Sequence, residues 1–513
     1  MKLTGNKEIS SNTKAAKKKT LKIGMYTTAI TAVAIAIVVF INLFVTSLPS
    51  DKVKFDTTSE ELYSISEQTE QIVKGIDEDI TIYIIASETT YDMSVYEYLE
   101  RYTALNDNIT IELKDPVLYP NFAGQYTDSE AEENSLIVVS GENSRYIPYS
   151  SIYVSDYSYD SSIGSYTSSY SFDVENQVTS AIDYVTNENL PIVYTLSGHG
   201  EGTFSDHSSA ITEYIGNENI TVNSLSLLKE GQIPEDADAI AILEPSSDIS
   251  QDEFTMLKEY LDNGGNILIM AGSVTSDMAN LISLMNYYGM NPVNGLVVEG
   301  DNNYYYLYQT YLLPDYESHS ITEPLANYYV MVPMAQGIEL ITPTGKDNSK
   351  EEPETEEADS TQEEADTSED ERNVTVQGLL VTSDYAYSKV AGDNITTYEK
   401  EDGDIDGPFY VAAIAQEENE ETTGKMVYIG SVYVMDDSIN QVTSGGNADF
   451  VMNSLEYMLD RDETISIRAK SLDTEYLTID SGTAFKWQVI LIGIIPLALI
   501  IWGGAVCYQR RKM

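Results

Sequence analysis

The chain contains three histidines, His199, His207 and His319. His199 stands in Ser197-Gly198-His199-Gly200-Glu201, directly after the short apolar run 191–196 (PIVYTL). Such a run reads as a buried strand, and in α/β sheets ligands bind at the carboxyl ends of parallel strands. Glycines on both sides of His199 let the backbone bend sharply or approach a ligand closely. Ser197, Gly198, His199, Gly200 and Glu201 are therefore the candidate ligand-binding residues. The competing expectation is a tight turn that His199 caps or hydrogen-bonds. His199 and His207 with Glu201 or Asp206 are suitable metal-ligand types, but their spacing matches no strong metal signature. No metal or cofactor is expected.

Other catalytic signatures are missing from the sequence. There is no Gly-x-Ser-x-Gly elbow, and Ser197 lacks the strand-to-helix context of one. There is no P-loop. Gly198 and Gly200 begin a Gly-x-Gly-x-x-Gly pattern, but Thr203 stands at its third glycine. The chain thus carries no ATPase motor of its own. The single cysteine, Cys507, closes a long apolar segment near the C-terminus. This excludes an internal disulfide framework and a cysteine nucleophile in the folded body. No catalytic residue is expected.

The elements that position the His199 turn alternate regularly. A helix over 174–187 precedes the strand 191–196. A helix over 208–217, strands over 219–226 and 239–243, and a helix over 250–263 follow. Ser250 and Glu253 are spaced as a capping box, and Gly264-Gly265 supplies the stop. A strand over 266–271 and a helix over 278–288 continue the series. Short apolar strands alternating with helices predict a parallel sheet covered on both faces. Strands resume at 378–382, 410–415 and 426–434, before a last helix over 449–460. These elements make one larger α/β domain over 174–470. It is interrupted at 347–372 by 13 acids, two bases and no aromatic residue, which predicts a disordered acidic insertion. A smaller α/β domain over 55–150 comes first: a helix near 67–75, a strand over 81–86, a helix over 94–105, a strand over 109–113 and a hairpin of 135–140 with 144–148. Between the domains, 151–173 is rich in tyrosine. It reads as an exposed hairpin or loop whose tyrosines pack on the body, with an aromatic binding surface as the alternative.

Charge and hydropathy place this body. The formal net charge is -55, yet residues 1–22 carry seven lysines against one glutamate, and Arg510, Arg511 and Lys512 close the chain. So acidic a body repels phosphate backbones, which disfavours nucleic acid as a partner. Residues 23–48 and 487–506 are free of charged side chains. As helices they reach roughly 39 and 30 Å, enough for a bilayer core. Lysines precede the first segment and basic residues follow the second, so both termini are expected in the cytoplasm of a two-span plasma-membrane protein. The cytoplasmic tails are then 1–22 and 507–513, and the lipid bilayer is a partner.

One family shares this order of features. It comprises an N-terminal anchor, Asp56-x-Thr58 with Leu62-Tyr63-Ser64-Ile65-Ser66, the strand at 81–86, and Asp115-Pro116. Then come Leu196-Ser197-Gly198-His199-Gly200-Glu201, Asn263-Gly264-Gly265-Asn266, Tyr428-Ile429-Gly430-Ser431 and a C-terminal span with a basic end. In this the chain resembles the auxiliary components of gliding-motility-type ABC transporters. The resemblance implies an amidotransferase-like (flavodoxin-like) central domain in a non-catalytic copy. It also implies a separate ABC ATPase and a multi-span permease as partners, with the extracytoplasmic domain contacting cargo, envelope or partner. Two other readings stay open: a membrane-anchored hydrolase or ligand-binding enzyme using the His199–Glu201 turn, and a surface sensor or adhesin.

Overall fold

A computed structural model describes residues 28, 30–40, 62, 64–127, 130–160, 165–187, 189–272, 274–343, 372–392, 395–418, 422–461, 467, 469–472 and a few positions of 487–503. The acidic insertion lies outside these residues apart from Arg372, and so does most of both apolar terminal segments. Among the described residues no helix is long and apolar enough to cross a membrane.

By contacts the chain divides into two units, Met1–Tyr153 with Asp173–Ala469, and Val154–Phe172 with Lys470–Met513. The first unit begins with α1 (Glu67–Lys74), β1 (Ile80–Ile84), α2 (Met93–Leu105), β2 (Ile109–Leu113) and a hairpin of β3 (Leu136–Ser140) and β4 (Asn143–Ile147). These strands form a sheet in the order β2-β1-β3-β4, parallel between β1 and β2 and antiparallel elsewhere. The α2 helix buries Val95, Tyr98, Leu99 and Tyr102, the apolar stripe of its 3.6-residue period, and Asp92 caps its N-terminus. Helix α3 (Val174–Thr186), which the sequence reading groups with the larger domain, packs on β3 and β4.

A buried carboxylate joins the three helices. Glu175 of α3 accepts hydrogen bonds from the Ser66 amide at 2.7 Å, the Thr69 hydroxyl at 3.0 Å and the Tyr98 hydroxyl at 2.6 Å. The Tyr98 hydroxyl also lies 2.8 Å from the Ser64 carbonyl. Residues 64–66 are thereby fastened to the small domain. Burial, then Tyr102 and Glu175, push the Tyr98 phenol far above its usual range, so it stays a donor.

The second unit contains a three-stranded sheet. Its strands β5 (Tyr153–Asp160) and β6 (Ser165–Phe172) come from the tyrosine-rich segment, and Lys470–Ser471 completes the order on the far side of β6.

The large sheet of the first unit holds ten strands. Its first half runs through β7 (Ile192–Leu196), helix α4 (Ser209–Asn217), β8 (Thr221–Leu225), β9 (Ala239–Leu243), helix α5 (Gln251–Asp262), β10 (Asn266–Met270) and helix α6 (Ala279–Tyr287). Next come β11 (Met290–Pro292), β12 (Leu296–Val298), β13 (Tyr311–Leu312), β14 (Asp315–Tyr316), β15 (Val332–Pro333), β16 (Ile338–Leu340) and β17 (Val374–Val381). The last elements are β18 (Tyr387–Lys389), β19 (Ile405–Asp406), β20 (Tyr410–Glu418), β21 (Thr423–Ile429) and helix α7 (Gly446–Met458). The order is β11-β16-β20-β21-β10-β9-β7-β8, with β17 on β20 and β14 on β17.

The strands β8, β7, β9, β10 and β21 are mutually parallel. Beyond β21 every pairing is antiparallel. The expectation of a parallel sheet thus holds for one half, and the sheet as a whole is mixed. The difference arises because β20 meets β21 directly across the short 419–422 connection, and a short connection joins only antiparallel neighbours.

Both faces of the parallel half are covered. In β9, Ala239, Ala241 and Leu243 join the core under α4 and α7, while Ile240 and Ile242 join the core under α5 and α6. All five residues are fully buried. That explains why the run AIAIL shows no polar alternation. Each such isoleucine contributes roughly 1.5–3 kcal/mol of burial free energy.

Candidate functional site

The His199 turn leaves the carboxyl end of β7, as its sequence context suggests. Ser197 continues the ladder, its amide donating to the Leu225 carbonyl at 2.8 Å. Gly198 and Gly200 take φ values of +137° and +86°. At Gly200 a Cβ would lie 1.9 Å from Ser246 Oγ, so only glycine fits there. The His199 carbonyl accepts from the amides of Ser246 and Ser247 at 2.9 and 3.1 Å, and from the Ser246 hydroxyl at 3.0 Å.

The His199 ring is buried between two carboxylates. Nδ1 lies 2.9 Å from Glu201 Oε1, and Nε2 lies 3.0 Å from Glu253 Oε2. The His199 amide donates to Glu201 Oε2 at 2.6 Å. The ring is only 7% exposed and both carboxylates are fully covered. Each ring nitrogen thus faces a carboxylate oxygen within hydrogen-bond distance. Glu253 is also the N3 member of the α5 capping box: its Oε2 accepts from the Ser250 amide at 2.8 Å. The turn therefore ties the end of β7 to the start of α5. Glu253 Oε1 is left buried with no hydrogen-bond partner among the described residues.

The other two histidines lie elsewhere. His207 Nε2 is 3.9 Å from Glu244 Oε2 and does not join His199. His319 Nδ1 accepts from the Ile321 amide at 3.2 Å, and its ring meets Tyr457 edge-on at 4.8 Å. Burial lowers the His319 imidazole below its usual value, with Glu323 opposing. Among the described residues, no group of three or more His, Cys, Asp or Glu could hold a metal.

An open concavity lies one strand further along the same edge. A cleft of about 440 Å³ is lined by Glu244, Tyr311, Met334, Ser431, Tyr433 and Asp436, with Ala271 and Gly272 among its apolar surfaces. Glu244 directly follows β9, Ala271 and Gly272 follow β10, and Ser431 follows β21 by two residues. Three adjacent parallel strands thus deliver their carboxyl ends to it, the position where α/β sheets bind ligands.

Gly430 makes this junction possible, because a Cβ there would stand 2.2 Å from the Gln336 carbonyl oxygen. Glu244 and Met334 both hold left-handed backbones, at φ +52° each. Such strain is tolerated only where the surroundings enforce it. Asp436 caps the short helix Asp437–Val442, accepting from the Ser438 amide at 2.8 Å.

The sequence reading reached the neighbouring turn and missed this cleft. The Tyr428-Ile429-Gly430-Ser431 motif was the available signal. Tyr428 donates to the Ala271 carbonyl at 2.9 Å, Gly430 allows the close approach, and Ser431 lines the cleft.

Together the fold and this edge define an α/β protein with a half-parallel sheet and a cleft at the carboxyl ends of its central strands. Residues 191–315 match a family described as an ABC-type uncharacterized transport system, and residues 59–155 match one described as a domain of unknown function (DUF7088). The first match covers four of the five parallel strands, β7 to β10, with the His199 turn and Glu244, and supports an auxiliary component of an ABC-type transport system. No curated protein matches. Among solved structures, one titled "mmIFT52 N-terminal domain" is similar at 17% identity over 52% of this chain and 97% of its own, with a TM-score of 0.37. That likeness is too loose to argue from.

Proposed function

We propose that this chain is a non-catalytic, membrane-anchored accessory subunit of an ABC-type transport complex of the gliding-motility type. Its acidic body would stand outside the plasma membrane and contact cargo, envelope or partner. A separate ATPase and a multi-span permease would supply the energy and the pathway. The observation that carries this reading is the family match over 191–315.

Several features support the finer parts. The described stretch 30–40 of the first apolar segment is helical, and Ile30, Val33, Val38 and Phe40 on it are more than half exposed. Exposed apolar side chains suit a lipid or helix partner. The flanking charges orient both termini inward. The His199 ring is 7% exposed with both nitrogens facing carboxylates, which disfavours a hydrolase built on that ring. Affinity purification of the intact protein from gentle detergent, with identification of stoichiometric partners, tests the proposal. Recovery of an ATPase and a permease upholds it, and recovery of neither overturns it.

A further inference from the structure

We infer that the cleft at the ends of β9, β10 and β21 binds an organic cation, an ammonium group carried on an apolar or aromatic body. The inference goes beyond the transport reading and does not depend on it. The cleft has the size of a small-molecule site and mixed walls. Glu244 and Asp436 bring two carboxylates to it, and no lysine or arginine lines it. An anionic ligand would meet two carboxylates and no lysine or arginine among the lining residues, so charge selects against it.

The His207 ring approaches Glu244, but its Nε2 stays 3.9 Å from Glu244 Oε2, beyond hydrogen-bond reach. The Glu244 side chain is half exposed and so is available to a ligand. Tyr311 and Tyr433 add two aromatic rings to the same walls, and Tyr433 is 49% exposed. Carboxylates beside tyrosine faces are the combination that recognises ammonium groups, by ion pairing and by cation–π attraction. Pro245, Ala271, Pro333 and Val432 supply the apolar surface for the body of the ligand.

Three phenyl-bearing probes of similar size separate charge from shape: phenethylammonium, 2-phenylethanol and phenylacetate. Each is titrated by calorimetry into the full-length protein in detergent micelles, with empty micelles subtracted. Phenethylammonium is expected to bind at least about tenfold more tightly than the alcohol, with phenylacetate undetectable and binding weakening as salt rises. Glu244→Gln is expected to weaken it about fivefold, the loss of one partly exposed ion pair. Tyr433→Ala should weaken it by a similar factor through the lost ring. Tyr385→Ala, at an exposed tyrosine that does not line the cleft, should change nothing. Thermal unfolding of each variant establishes that it folds, and Glu244→Gln and Tyr433→Ala act on different walls, so the loss of one leaves the other informative. Equal binding of the alcohol or the acid overturns the inference. So does the absence of ammonium binding, or binding unchanged in both cleft variants.

Discussion

Glu456 lies in α7 with 1% of its surface exposed, and neither carboxylate oxygen has a hydrogen-bond partner among the described residues. Burial, then the nearby Glu218, push its pKa up to about 9, against an opposing pull from Arg461 and a further push from Asp449. The folded protein therefore holds Glu456 as a neutral acid at pH 7. In the unfolded chain the same group ionises near the ordinary glutamate value of 4.5. A folded pKa above the unfolded one means stability is greatest below pH 4.5 and is lost as pH rises through 9. Over the 2.5 units from 4.5 to 7 the loss reaches about 3 kcal/mol, and it grows by about 1 kcal/mol for each further pH unit until 9. Glu456→Gln keeps the shape and removes the titration. Denaturant unfolding of the intact protein and the variant at pH 5, 6, 7, 8 and 9 measures the difference. The variant's advantage should rise with pH by about 1 kcal/mol per unit. Parallel profiles across that range would refute the reasoning, whatever the absolute offset.

Three further outcomes follow from the polar contacts. His199→Ala strips two buried carboxylates, Glu201 and Glu253, of their shared partner and should destabilise the fold by about 3–5 kcal/mol, read as a lower unfolding midpoint. An unchanged midpoint would show that the turn is not held by the ring. Gly200→Ala should cost about 2 kcal/mol or more, through its left-handed backbone and the clash with Ser246 Oγ, and Ser246→Gly should recover part of that loss. Glu175→Gln removes the charged acceptor for Ser66, Thr69 and Tyr98 and should cost about 1–3 kcal/mol. Limited proteolysis should then cut first near residues 64–66, and equal cutting in both proteins would contradict the fastening described for that segment.

Much of the local structure was legible because it follows from period and punctuation. The stripe of Val95, Tyr98, Leu99 and Tyr102 predicted the buried face of α2, and the Ser250–Glu253 box predicted the start of α5. The run AIAIL predicted β9 over the residues it occupies. Long-range partnerships were not legible. Glu253 was visible as a cap, but its bond to His199 spans 54 residues of sequence and leaves no local signal. The direction of β17 and β20 depends on which neighbours they meet, which no run of apolar residues encodes. The cleft was hidden for a similar reason. Its walls come from positions between Glu244 and Ile439, and two of them, Tyr311 and Pro333, lie in strands of two residues, too short to show any period.

The central claim is that this acidic α/β body serves a transporter whose energy and pathway lie in other chains. Crosslinking of intact membranes, followed by purification of this chain and identification of what is joined to residues 23–48 and 487–506, tests it most directly. The account predicts crosslinks from these segments to the helices of a multi-span permease, with an ATP-binding protein co-purifying in fixed ratio. Crosslinks to lipid alone, with no permease or ATPase recovered, would contradict it.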